Sequence, residues 1–336
     1  MTSTMQQSPP LEQPGSPRWR ISFGWLNQIG PVLGLLAIFA LFAFLRPKTF
    51  LRVDNLQIML LQTTVYATAA LGATVIIISG GIDLSVGSNI AMCTVVIAKL
   101  LLMNVSPAMS ALVGIGASMA CGLAIGLLVT LLDLSPFIVT LGMWGAIRGA
   151  AKWIADETDV DAPRTWINSL MHQLRPDQQW MIFPVGVWLM FVLTLLVSAI
   201  LHYTRFGRHV FAIGSNEQTA RLCGVRVKPT KLGIYLFAGF FAGVAGVLHF
   251  SRLTIGDATS ANGYELNIIA AVVIGGTSLI GGQGGVFGTL VGALIMTVVA
   301  NGCTKVGLSN SLQEIVTGGI IILAVALDRF RHWRRA

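Results

Sequence analysis

Ten apolar stretches dominate the chain, at 30–45, 56–79, 84–103, 108–132, 136–155, 181–201, 232–253, 264–280, 285–302 and 313–328. A helix needs about 20 consecutive apolar residues to cross the hydrocarbon core of a bilayer, and these runs meet or approach that length. Charged residues make up 11% of the 336 positions and hydrophobic ones 54%. A soluble domain carries about 25% charged residues, so this composition argues strongly against a water-soluble enzyme. The expected fold is an all-α integral membrane protein of about ten transmembrane helices. It forms one transmembrane domain over 30–328, between a polar, Pro-rich, disordered cytoplasmic tail at 1–29 and a basic cytoplasmic tail at 329–336.

Charge orients the spans. The formal net charge is +8, and in a polytopic chain such an excess marks cytoplasmic loops rather than a nucleic-acid partner. Segment 202–231 holds Arg205, Arg208, Arg221, Arg226, Lys228 and Lys231 against Glu217 alone, and Arg329, Arg331, Arg334 and Arg335 follow the last run. Segment 156–180 is acid-rich, with Asp156, Glu157, Asp159, Asp161 and Asp177. Ten spans place 202–231 and both termini inside and 156–180 outside. One loop disagrees: Arg46, Lys48 and Arg52 fall outside.

Small residues recur at helix-packing spacing in Gly122/Gly126, Gly145/Gly149, Gly239/Gly243 and Gly284/Gly288/Gly292. Such faces let backbones approach where lipid supplies no hydrophobic drive between helices.

An ionised group at mid-bilayer costs on the order of 2.5–3.5 kcal/mol on insertion scales, so the few polar residues near the runs are informative. Asp83 and Ser85 lie in Ser79-Gly80-Gly81-Ile82-Asp83-Leu84-Ser85. There a glycine ends one helix and Asp83 caps the next, and the resulting break can also present backbone groups to a polar solute. Arg148 stands inside an apolar run, snorkelling or pairing with a bundle carboxylate. A second polar cluster runs from Asn262 to Gly285. Glu265 and Asn267 open it, with Glu265 suited to a helix N-terminus. Thr277, Ser278 and Gln283 sit among glycines in a stretch that is either a flexible turn or a re-entrant element. Uncharged hydrogen-bonders of this kind suit a neutral polyhydroxylated solute better than an ion. Asp83, Ser85, Arg148, Glu265, Asn267, Thr277, Ser278 and Gln283 are therefore candidates for a translocation pathway.

The third feature is a short helix within 202–231. Ser215 and Gln218 fit a capping box, Glu217 the first turn and Gly224 the C-terminal cap. Between two spans and amid basic residues, it is suited to docking on something. The chain has no GxxxxGK[ST], HExxH or GxSxG motif, no His pair at ligand spacing, and no CxxC among Cys93, Cys121, Cys223 and Cys303. The sequence thus offers no catalytic residue, no metal site, and no ATP site of its own.

Together these stretches resemble the permease subunits of bacterial ABC sugar importers of the ribose/xylose/galactose type, which include autoinducer-2 permeases. The matching segments are Gly80–Gly87, Pro136–Gly149, Gly207–Val227 and Gly263–Asn301. The resemblance implies the ABC importer permease fold, with broken or re-entrant Gly-rich elements and a cytoplasmic coupling helix at Ser215–Gly224 that fits a cleft in an ATPase. It thereby assigns Ser215, Asn216, Glu217, Gln218, Ala220, Arg221 and Gly224 to ATPase coupling. It implies a second permease chain, identical or homologous, and an extracytoplasmic solute-binding protein. ATP and Mg would be bound by the separate ATPase, with no cofactor in this chain. The setting is the bacterial inner membrane, with lipid as a further partner. The implied activity is alternating-access import of a monosaccharide or related solute, without bond chemistry by the permease. The rival reading is an ion-coupled secondary transporter, against which the sparse intramembrane carboxylates count. Asn267, where the family pattern has an acid, and Lys305 with Asn310-Ser311 depart from that pattern.

Overall fold

The structure is a computed structural model that describes residues 24–172 and 181–333, and in it each apolar stretch becomes a helix. In chain order these are α1 (Gly24–Leu45), the short α2 (Pro47–Phe50), α3 (Val53–Ile78), α4 (Val86–Leu102), α5 (Pro107–Leu131), α6 (Pro136–Ile154) and α7 (Val185–Tyr203). Two short helices, α8 (Arg205–Ser215) and α9 (Glu217–Leu222), precede α10 (Val227–Leu253), α11 (Tyr264–Ile274), α12 (Val286–Val306) and α13 (Asn310–Trp333). By length and composition α3, α5, α7, α10 and α12 can each cross a membrane, and α4, α11 and parts of α1 and α13 are shorter apolar helices. Helix α1 begins at Gly24 and α13 continues through Trp333. The rest of the 1–29 tail, 173–180 of the acidic loop, and 334–336 lie outside the described residues.

Helix α10 is the axis of the bundle, buried without interruption from Phe241 to Ser251. Its packing partners are α5, α3 and α4. The glycines make this possible. A methyl group on Gly239 would lie 2.6 Å from the Ser118 carbonyl oxygen and 3.2 Å from the Gly122 Cα, and one on Gly243 would lie 2.8 Å from the Ile115 Cα. A second backbone seam joins α11 to α12, where Gly288 lies against Gly275 and Gly292 against the Ala271 carbonyl. The expected pair Gly145/Gly149 differs: both lie on α6, and a methyl group added to either would meet nothing within 4 Å.

Helices α3 and α11 end in the same way. Gly80 (φ 84°) and Gly276 (φ 92°) take the left-handed conformation that side chains resist. After α3, the Gly80 amide donates to Ile77 O (2.9 Å) and the Gly81 amide to Ile76 O (3.0 Å). After α11, the Gly276 amide donates to Val273 O (2.9 Å) and the Thr277 amide to Val272 O (3.2 Å). Paired bonds of this kind satisfy the last carbonyls of a helix and stop it sharply.

At the opposite end of α3 lies the basic loop 46–52, about 38 Å away for 26 residues at 1.5 Å each. Arg46 donates to Val306 O and Arg52 pairs with Asp54 at 3.2 Å. These contacts partly offset the charge of the loop. The acidic loop shares this end: β1 (Val160–Asp161) pairs antiparallel with β2 (Ile255–Gly256). A 3-10 turn, Trp166–Met171, is fastened to α10 through Ser251, whose hydroxyl donates to Ile167 O (2.7 Å) and accepts from the Met171 amide (3.1 Å).

Beyond β2 the chain turns back into the bundle along α4. Gly256 packs on Thr94, Val95 and Ala98, while Ala261 O and the Glu265 carboxylate lie against Gly87. The re-entrant element is therefore 254–263, and the Gly-rich stretch 275–285 is a compact turn. The physical reason is that 275–285 closes on itself, the Ser278 amide donating to Gln283 O at 3.1 Å and the Gly281 amide to Ser278 O at 3.1 Å.

Candidate coupling and translocation sites

The segment between α7 and α10 holds two helices rather than one. Thr204 caps α8, accepting from the Gly207 amide at 3.2 Å. Ser215 is the last residue of α8, so it does not form the expected capping box. The cap of α9 is Asn216, extended at φ −161° and ψ 109°, whose side-chain oxygen accepts from the Thr219 amide at 2.8 Å. Asparagine and serine are comparable cap formers, and α8 commits Ser215 first. At the other end of α9 the Gly224 amide donates to Arg221 O (3.1 Å) and the Val225 amide to Ala220 O (3.0 Å), as the sequence predicts for Gly224.

Six residues make a marginal helix, and tertiary contacts hold this one. Ala220 is buried with Ile213 and Val227 in a small apolar cluster. Glu217 pairs with Arg221 at 3.3 Å and with Lys231, on the first turns of α10, at 2.6 Å. Gln218, Thr219, Arg221, Leu222 and Cys223 are exposed, Leu222 at 88%. An isolated, nearly bare leucine on a doubly capped helix is a surface available to a partner.

The end of α8 sits on a joint that the sequence does not reveal. A methyl group on Gly214 would fall onto the Ile78 carbonyl oxygen at the end of α3, and the Gly282 amide donates to that same oxygen at 2.8 Å. Gly282 in turn faces the Ser215 backbone, with an added methyl group 2.9 Å from its Cα. Three chain breaks, after α3, after α8 and after α11, thus meet backbone to backbone. Thr277, Ser278 and Gln283 belong to this joint. Thr277 is fully buried and Gln283 is exposed.

Asp83 and Ser85 lie one step further along the α3–α4 connection. Asp83 Oδ1 accepts from the Ser85 amide (2.7 Å) and hydroxyl (2.6 Å), so the carboxylate orders the turn before α4. Burial raises the Asp83 carboxyl above its ordinary range, against the opposing pull of these two bonds.

Arg148 and Glu265 form a separate group around the re-entrant loop. Arg148 does not snorkel. Its Nη1 donates to Ala258 O (2.8 Å) and Ser260 O (3.3 Å), and its Nε to Ser88 Oγ (3.2 Å). The guanidinium also stands 6.0 Å from the centroid of the Trp144 ring. One cation thereby fastens the loop to both α4 and α6. Glu265, in the first turn of α11, accepts from the Gly263 amide at 3.3 Å. Arg148 Nη2, Glu265 Oε2 and Trp144 Nε1 are buried without a hydrogen-bond partner. Arg148 and Glu265 attract each other without forming a direct bridge. Asn267 stands apart, beside Tyr66.

Removing the guanidinium breaks its hydrogen bonds to Ser88, Ala258 and Ser260, each bond to a charged group being worth about 1.5–3 kcal/mol, and takes its attraction away from the Glu265 carboxylate. Arg148→Met should therefore melt well below the wild type, and Arg148→Met with Glu265→Gln should recover part of the loss. Thermal unfolding of the purified chain checks this; equal melting of Arg148→Met and wild type would remove Arg148 as the fastener of the loop.

Residues 55–325 match the family model described as branched-chain amino acid transport system / permease component. The chain is 37% identical over 308 residues to the ribose import permease protein of Escherichia coli, covering 90% of this chain and 94% of that protein. It is 35% identical over 319 residues to the ribose import permease protein of Bacillus subtilis, covering 95% and 98%. The galactose/methyl galactoside import permease protein of Salmonella typhimurium is 33% identical over 327 residues, covering 93% and 96%.

Proposed function

The chain belongs to this family of transport-system permease components, and we propose that it is the membrane-spanning permease subunit of an ATP-driven (ABC) importer for a monosaccharide or similar small polar solute. The sugar class is supported by relatives named for ribose and galactose import. In this reading a separate ATPase binds ATP and Mg. A second permease chain completes the membrane unit, and an extracytoplasmic binding protein delivers the solute. The protein lies in the bacterial inner membrane with both termini and the α9 end cytoplasmic. The basic residues of 205–231, with Glu217 alone opposing them, support that orientation.

The observation that carries the reading is the three-way joint under α9. ATP-driven closure of the ATPase pushes on the exposed face of α9. Helix α9 is tied to α10 through Glu217–Lys231 and to α8 through the Ile213–Ala220–Val227 cluster. The Gly214 contact passes the displacement to the ends of α3 and α11. Packed backbone joints of this kind shift between discrete arrangements rather than bending continuously. ATP biases the outward- and inward-facing states only through its different interaction with each. Asp83 and Ser85 beside the joint, and Thr277, Ser278 and Gln283 within it, are the candidates for contact with the solute in this reading. Arg148 and Glu265 hold the re-entrant loop on the other side of the bundle.

Uptake of labelled ribose and galactose by membrane vesicles tests the proposal. Deleting the ATPase should abolish uptake, while collapsing the proton gradient with ATP maintained should leave it intact. Uptake that survives loss of the ATPase and disappears with the gradient would overturn it.

A further inference from the structure

A cavity of about 320 Å³ opens at the end of the bundle opposite α9, between α3, α10, α11, α12 and α13. Much of its polar lining is already engaged. Asn55 and Asn301 bond to each other in both directions, at 2.9 and 3.1 Å. Gln313 donates to Leu308 O (3.0 Å) and accepts from Thr304 (3.4 Å). The Tyr66 hydroxyl interacts with Tyr264 and Asn267. What remains facing the cavity is Arg252, Lys305 and Gln62. Among the described residues neither Arg252 nor Lys305 has a salt-bridge partner, and no carboxylate lines the cavity. The nearby Glu265 carboxylate is turned toward Gly87.

Two cations sharing one cavity repel each other, and an anion between them relieves that repulsion. A guanidinium, an ammonium and an amide together complement a compact oxyanion, for which charge-assisted hydrogen bonds are the strong ones. We propose that this cavity is an anion site for a phosphate group, held chiefly by Arg252 and Lys305. The phosphate comes either from the headgroup of an anionic lipid or from solution. The site is built by one chain and does not depend on the transport assignment.

The test uses the full-length chain in neutral detergent, with inorganic phosphate as one probe. The other is reconstitution in nanodiscs of phosphatidylcholine with or without phosphatidylglycerol. Native mass spectrometry reads retained lipid, and thermal unfolding reads stabilisation. One charge-assisted bond lost corresponds to roughly a tenfold weaker affinity. Arg252→Gln and Lys305→Gln should each weaken binding by that factor, and the double variant should lose it. Lys228→Gln, on an exposed residue at the other end, should bind as the wild type does. Retained phosphatidylglycerol identifies the lipid as source. Stabilisation by phosphate without lipid retention identifies a solution anion. A wild-type chain that responds to neither probe, or a double variant that responds as strongly as the wild type, overturns the proposal.

Discussion

Gly214→Ala is expected to reduce solute uptake at least tenfold. The added methyl group has no room: it meets the Ile78 carbonyl oxygen and lies 2.6 Å from the Gly282 nitrogen, both backbone atoms. A flexible side chain would yield, but backbone in two other elements must move as a whole. Overpacking of this kind costs about 1–3 kcal/mol in ordinary cores, and here it also separates α8 from the ends of α3 and α11. Gly116→Ala is the matched control, because nothing lies within 4 Å of its added methyl group. It should transport normally. Uptake per assembled transporter, with thermal stability recorded alongside, distinguishes lost coupling from lost assembly. Wild-type uptake by Gly214→Ala would show that the joint is not a tight backbone contact.

Glu217→Lys is expected to leave ATP hydrolysis running while uptake falls severalfold or more. Glu217 is 36% exposed and its pairs with Arg221 and Lys231 are partly solvated. Each is therefore worth only about 0.2–1 kcal/mol of stability, too little to unfold a bundle of this size. Their value is directional. They set the angle of α9 against α10, and a lysine at 217 would place three cations together and release the helix. The charge swap Glu217→Lys with Lys231→Glu should restore part of the coupling. The ratio of solute transported to ATP hydrolysed in proteoliposomes measures this. An unchanged ratio in Glu217→Lys would mean that the ion pairs do not position α9.

Most of the helical architecture is legible in the sequence because it is composition-driven. Lipid exposure forces whole helices to be apolar, so ten runs correspond to ten helices with boundaries shifted by a few residues. The Gly122, Gly239, Gly243 and Gly292 contacts are legible for the same reason, since close helix approach demands small residues at regular spacing. Helix α8 is not legible: its residues 205–215 mix charges with apolar positions, and the sequence indicates one short helix in 202–231 where there are two. Gly214 serves instead as a contact with Ile78, a residue 136 positions earlier in the sequence, and no local pattern encodes such a pairing. The re-entrant loop 254–263 is short and polar, so it resembles an ordinary connection. Only Arg148 hints at it. A cation inside an apolar run needs acceptors, and these are the carbonyls of Ala258 and Ser260 rather than a side chain. The pathway candidates taken from the sequence separate into the Asp83 turn, the 275–285 joint and the Arg148 loop, which fold at different places. A sequence lists polar residues without saying which of them meet.

The central claim is that α9 is the contact with the ATPase, and the native thiol at its end tests it directly. Cys223 is exposed, Cys93 and Cys303 are buried, and Cys121 is only partly accessible. In native membranes a short thiol-to-amine cross-linker should join Cys223 to the ATP-hydrolysing subunit, and the product should vanish in Cys223→Ser. If Cys223 instead reacts freely with a bulky maleimide in the assembled transporter and yields no product with that subunit, α9 is not the coupling surface.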